Sequence, residues 1–117
     1  MRRSVLIVDD HAGFRSAARA LLEDAGFEVV GEAADGASAL EAVRELRPEV
    51  VLLDVQLPDL NGFDVAERFA TEEPMPAVVF ISSRGASAFR WRVAANPGWR
   101  FIAKSDLSGE ALAVALA

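Results

Sequence analysis

The sequence predicts a doubly wound α/β domain, one parallel five-stranded sheet with helices on both faces. Three observations carry this. Short apolar runs of strand length alternate five times with stretches whose apolar residues recur at helical spacing. The links between them have ordinary lengths and hold turn residues such as Asn61-Gly62 and Asn96-Pro97-Gly98. Four of the five strand runs end in polar groups, Asp9-Asp10, Asp54, Ser82 and Lys104, which a parallel sheet gathers on one edge.

Ser4 to Val8 is a β-branched run closed by two aspartates, hence a buried strand with carboxylates at its carboxyl end. Phe14, Ala17, Ala18, Leu21, Leu22 and Ala25 then mark a helix from about Ala12 to Ala25, stopped by Gly26. Val29 and Val30 belong to the next strand, and Asp35-Gly36 begins a second helix whose Leu40, Val43 and Leu46 share a face until Pro48. Val50 to Leu53 is apolar throughout, as a strand buried on both faces must be, and ends in Asp54. Phe63, Ala66, Phe69 and Ala70 line a third helix that Pro74 and Pro76 end. Ala77 to Ser82 is the fourth strand, Ala86 to Ala95 the fourth helix and Trp99 to Ala103 the fifth strand. Ser108, with Glu110 in the first turn, opens a last helix that runs to the end.

Residues 1–117 read as a single domain, with 52% hydrophobic and 26% charged residues. The net charge of -6 argues against direct nucleic-acid binding, and the absence of cysteine excludes disulfides and thiol chemistry. Arg2-Arg3 before Val5 to Val8 is too brief for an export signal, because Asp9 breaks it, and no stretch is long enough for a membrane span. The expected location is the cytoplasm.

Taken singly, the rim groups have ordinary explanations. Asp9-Asp10 could cap a helix, Asp54 could serve a turn, Lys104 could be solvated and Ser82 could bond locally. Together they make a site. Three clustered carboxylates stay ionised around a cation, and an all-oxygen shell favours Mg²⁺. Lys104 and Ser82 offer a positive charge and a hydrogen bond to an anion. Such a set suits phosphoryl transfer with Asp54 as nucleophile, giving an aspartyl phosphate.

The stretches VLIVDDH (Val5 to His11), LLDVQLPDLNG (Leu52 to Gly62), FISSR (Phe80 to Arg84) and FIAK (Phe101 to Lys104) resemble the receiver domains of bacterial two-component response regulators. That resemblance covers essentially the whole chain and implies a flavodoxin-like fold with strand order 2-1-3-4-5. It implies that Asp54 accepts a phosphoryl group from a phosphohistidine of a sensor histidine kinase or phosphotransfer protein. Asp10 would bind Mg²⁺ directly and Asp9 through water, with the Gln56 backbone carbonyl and Asp54 as further ligands. Lys104 would pair with the phosphoryl oxygens, Ser82 would move toward them and Phe101 would turn inward, a charge-biased switch. Gln56 and Arg84 flank the phosphoryl group in that family and would tune hydrolysis.

Ser105 stands where the family often has proline, and the Lys104 to Leu112 stretch is more similar to receivers of LuxR/NarL-type transcriptional regulators. The implied partner is therefore a downstream protein or an output domain of a longer regulator, with phosphorylation-dependent homodimers also allowed. The apolar end, Ala111 to Ala117, suits either continuation or pairing. Arg84, Arg90, Arg92, Arg100 and Lys104 make a local basic stretch in an acidic chain, and Trp91, off the Phe89-Val93 face, is expected to be exposed there as a partner anchor or simply a solvated ring. His11, the one histidine, reads as a rim residue at a helix start, so the donor histidine must come from a partner. Two other readings compete. An aspartate-nucleophile phosphatase needs a second carboxylate where Gln56 stands, which argues against an enzyme; a phosphorylation-independent interaction module fits poorly with an intact acid set.

Overall fold

The computed structural model describes residues 2–84 and 89–117. Its elements are β1 (Ser4–Val8), α1 (Ala12–Asp24), β2 (Glu28–Ala33), α2 (Gly36–Leu46), β3 (Val50–Asp54), α3 (Gly62–Phe69), β4 (Ala77–Ser82), α4 (Arg90–Ala94), β5 (Trp99–Ala103) and α5 (Gly109–Leu116). The strands form one parallel sheet, as their pattern predicts, in the order β2-β1-β3-β4-β5 that the resemblance implies.

Alternation along β1, β3 and β4 divides the apolar side chains between two cores. Leu6, Val8, Val51, Leu53, Val78 and Phe80 meet Val43 of α2 and Phe63, Val65 and Phe69 of α3. Their neighbours Val5, Ile7, Val50, Leu52, Val79 and Ile81 meet Ala18 and Leu22 of α1 and Leu112 of α5. Each fully buried large side chain contributes about 1.5–3 kcal/mol, so this two-sided burial fixes the three central strands and holds their carboxyl ends rigid.

Local chemistry sets the helix starts. The side chains of Asp35, Asn61 and Ser108 accept backbone N–H groups of Ser38, Phe63 and Ala111 and cap α2, α3 and α5. Asp59, from the loop after β3, adds a second cap on α2 by accepting the N–H groups of Gly36 (2.7 Å) and Ala37 (3.0 Å). The Gly36 N–H holds the Asp59 carboxyl below its ordinary range.

Two helices stop earlier than their prolines suggest. α2 ends at Leu46, because the residue before Pro48, Arg47, takes the left-handed conformation (φ 46°) instead of continuing the helix. α3 ends at Phe69, and Ala70 to Glu72 close it with turn bonds to Glu67, Arg68 and Phe69, ahead of Pro74. Gly26 carries its expected positive φ of 96° after α1. The part of the predicted fourth helix at residues 86–88 lies outside the described residues.

Arg47 occupies a conformation that costs an L side chain about 1 kcal/mol relative to glycine. Arg47→Gly is expected to raise the urea midpoint by the equivalent of about 1 kcal/mol; an unchanged or lower midpoint would contradict strain at this turn.

Candidate functional site

Sheet register brings the predicted groups together. Val8 lies level with Leu53, so Asp9 follows beside Asp54. Asp54 pairs with Ile81 and Ser82 with Ala103, so Ser82 and Lys104 rise on the other side. From the single 3-10 turn after β5, Lys104 reaches back across β4. Its Nζ stands 2.5 Å from Asp9 Oδ2 and 3.3 Å from Asp54 Oδ2, and 4.6 Å from the centre of the Phe14 ring. Asp9 is wholly buried and Asp54 nearly so. Asp54 Oδ1 accepts the Gln56 N–H at 3.0 Å, and Asp9 Oδ1 accepts the His11 N–H at 2.8 Å.

The two buried acids respond oppositely. Burial pushes both carboxyls up, but the closer Lys104 ammonium and the His11 N–H outweigh it at Asp9, which titrates below its ordinary value. At Asp54 burial prevails over the Gln56 N–H, and the Asp9 charge adds to the rise. Burial alone would lower Lys104, but its bond to Asp9 and the charge of Asp54 raise it. Lys104 thus belongs mainly to Asp9, leaving Asp54 the less satisfied carboxylate.

A divalent cation fits this geometry. Asp9, Asp10, His11 and Asp54 can each offer a ligand atom, all within 4.8 Å of one another. Asp9 Oδ2 is itself paired with the Lys104 ammonium at 2.5 Å. Three carboxylates against one ammonium also leave an excess of negative charge that a divalent ion would balance.

Residues 5–115 match the response regulator receiver domain family. The chain belongs to that family. Among curated relatives, CheY, the chemotaxis protein of Thermotoga maritima, is 36% identical over 75% of this chain and 73% of its own length. BvgA of Bordetella pertussis, named as a transcription regulator, is 35% identical over 91% of this chain but only 51% of its own length. The solved receiver domain of the response regulator NarL from Mycobacterium tuberculosis superimposes with a TM-score of 0.81 at 31% identity, covering 99% of this chain and 98% of that one. The chain thus spans about half of BvgA, and 25% of a protein-glutamate methylesterase of Rhizobium johnstonii that it also matches. Receiver domains are signalling modules of two-component systems and generally carry no enzymatic activity of their own. Among the described residues no helix is long and apolar enough to cross a membrane.

Other predicted residues of this receiver lie around the rim. Ser82 is buried, and its Oγ accepts the Arg84 N–H at 3.0 Å. Phe101 is half-buried, its ring 6.0 Å from that of Phe89. Gln56 and Arg84 line one cleft of about 280 Å³ with Phe89 and Trp91. Trp91 is 75% exposed, as expected. Arg92 departs from the picture of an open basic stretch: it faces Glu67 (3.7 Å) and Asp64 (3.9 Å) and covers the Phe63 ring. Arg100 bonds the carbonyls of Pro97 and Trp99. His11 is the N-cap of α1 without a capping side-chain bond.

Sequence reasoning missed Arg15. Its Nη1 donates to the Asp9 carbonyl at 2.7 Å, and its Nε pairs with Glu32 of β2 at 3.0 Å, where Arg19 also arrives at 2.7 Å. Nothing in the sequence separates it from the other basic residues. The Arg19 hydrogen bond, against a small burial effect and with help from Arg15, holds Glu32 below its ordinary carboxyl range. Its stabilisation is therefore present above the unfolded value of about 4.3 and lost as pH falls through the lower folded one. Partly exposed pairs of this kind contribute about 0.5–1 kcal/mol. Glu32→Gln is expected to cost that much in urea unfolding at pH 7 and nearly nothing at pH 3; equal losses at both would contradict the linkage.

Proposed function

We propose that this receiver is a phosphorylation switch in which Asp54 takes a phosphoryl group from a phosphohistidine of a sensor kinase or phosphotransfer protein. The observation that carries the reading is Lys104 set between the buried Asp9 and Asp54, with Asp10 in the same cluster of carboxylates. Asp9, Asp10, Asp54 and the Gln56 carbonyl would hold Mg²⁺. A bound Mg²⁺ supplies neutralisation of the charge gathering between carboxylates and phosphoryl oxygens.

The remaining work falls to the chain. An Asp54 carboxylate oxygen attacks phosphorus, the phosphorus–nitrogen bond of the donor breaks, and its electron pair leaves with the imidazole. Because Asp54 is the less satisfied acid, it is the one ready to react, while Asp9 keeps the ammonium in place. Lys104 then meets the phosphoryl oxygens. Ser82 uses only a lone pair toward Arg84, so its O–H remains available to the phosphoryl group. As Ser82 moves, Phe101 fills the space it leaves, and Gln56 and Arg84 govern access of water. The output is a changed surface read by a downstream protein, an attached output domain or a second copy in the cytoplasm; the greater length of relatives such as BvgA supports an output partner.

The test is intact mass after incubation with Mg²⁺ and a small acyl phosphate. The wild type is expected to gain one phosphoryl group and folded Asp54→Asn none; equal gain by both would move the acceptor elsewhere.

A further inference from the structure

We infer that Arg15 is a positioning residue for the rim: it fixes the turn between β1 and α1 so that the Asp9 and Asp10 carboxylates face the cation site. The role rests on reading that rim as a Mg²⁺-dependent phosphoryl site. Asp9, Asp10 and His11 lie between the end of β1 at Val8 and the start of α1 at Ala12, so their peptide planes are held by single bonds rather than by a ladder or a helix. The Asp9 N–H donates to the Ala33 carbonyl at 3.0 Å, and Asp9 Oδ1 accepts the His11 N–H at 2.8 Å. No backbone N–H among the described residues meets the Asp9 carbonyl; Arg15 Nη1 donates to it at 2.7 Å. That carbonyl belongs to the planar peptide joining Asp9 to Asp10, so its direction sets where both side chains depart.

The guanidinium is itself aimed. Arg15 Nε donates to Glu32 Oε1 at 3.0 Å, while Arg19 Nε takes Glu32 Oε2 at 2.7 Å. β2 sets Glu32 level with Ile7, one strand away from the chain that leads into Asp9. Two edges of one planar fork are thus occupied, and with the side chain only 18% exposed little other freedom remains. Glu32 answers the charge of Arg15, so what Arg15 gives the site is direction and not field. Without it the Asp9 carbonyl would lose a charged donor and turn toward water, carrying the Asp9–Asp10 peptide with it. Groups that orient metal ligands in this way carry about tenfold or more of metal affinity or rate.

The experiment compares full-chain wild type with Arg15→Met, Arg15→Lys and Arg19→Gln by two-dimensional amide NMR, first without metal and then through a MgCl₂ titration, with urea unfolding alongside. The His11 amide, which donates to Asp9 Oδ1, reads the turn before any ion or phosphodonor is present. It is expected to shift in both Arg15 variants, with Mg²⁺ affinity, and the rate of phosphoryl uptake from a small acyl phosphate at saturating Mg²⁺, each falling about tenfold or more. Arg15→Lys keeps the charge and the fold but shares the loss, because an ammonium does not fork between a carbonyl and a carboxylate. Arg19→Gln removes the shorter bond to Glu32 without touching Asp9, and should leave the His11 amide in place and Mg²⁺ affinity within about twofold of wild type. An unmoved His11 amide or unchanged Mg²⁺ affinity in Arg15→Met, full recovery in Arg15→Lys, or an equal loss in Arg19→Gln overturns the inference and leaves the proposed function standing. A wild type that neither binds Mg²⁺ nor gains a phosphoryl group overturns both.

Discussion

Lys104→Met is expected to destabilise the metal-free protein by about 3 kcal/mol near neutral pH and to abolish stable phosphoryl uptake. Among the described residues the ammonium is the cation within reach of both buried acids, at 2.5 Å and 3.3 Å, and methionine leaves Asp9 and Asp54 facing each other without it. Lys104 titrates above its ordinary value, so its stabilisation is fully present below the unfolded value of about 10.4 and disappears as pH rises through the folded one. In the variant, acid relieves the defect, because Asp54 already titrates high and gains a proton first. Urea unfolding at pH 7 should show the full loss, and at pH 4.5 a smaller one. Millimolar Mg²⁺ should restore part of it at pH 7. An unchanged midpoint in all three conditions would remove Lys104 from the account of the rim.

Gly62→Ala should be nearly as damaging although it adds one carbon at a helix start. A Cβ there would collide with the backbone carbonyl oxygen of Asp54 and lie 2.9 Å from Val55 Cα. The obstacle is backbone, so no rotamer change can relieve it. Overpacking of this kind costs about 1–3 kcal/mol, and the segment forced to move is the one that carries the proposed acceptor. The Gly62 N–H bond to the Val55 carbonyl, at 2.7 Å, would stretch with it. The expected result is a lowered melting temperature together with phosphoryl uptake slowed about tenfold or more, since small misplacements of reacting groups are costly. A variant that melts and reacts like the wild type would show that the loop after β3 yields more easily than its packing suggests.

The architecture was legible because two signals coincide at each central strand: a run apolar at every position and a polar group that ends it. β1, β3, β4 and β5 begin and end where the sequence places them. Helix ends were less legible, since Pro48 and Pro74 mark only how far a helix can extend, while Arg47 and the turn at Ala70 decide where it stops. At the rim, topology alone foretold that Asp9, Asp54, Ser82 and Lys104 would gather. It could not foretell Lys104 binding Asp9 more closely than Asp54, the Phe14 ring beneath it, Arg15 on the Asp9 carbonyl, or Asp59 tied to α2. These contacts join separate elements through single polar or aromatic side chains, and such a residue looks the same in sequence whether it meets solvent or a neighbour. For the same reason the run of arginines concealed the acids that answer Arg92.

The two tryptophans stand in opposite surroundings. Trp91 on α4 is 75% exposed, whereas Trp99 on β5 packs with its ring centre 5.0 Å from Phe80 and 5.8 Å from Phe63. Their fluorescence should differ accordingly, with Trp91 emitting at longer wavelength and open to soluble quenchers, and half-buried Trp99 emitting at shorter wavelength and quenched less. Trp91→Phe then leaves a lamp inside the β4–β5 edge, and Trp99→Phe leaves one on the outer face of α4. Without any attached dye, the molecule can report separately on the packing of its β4–β5 edge and on the exposed face of α4.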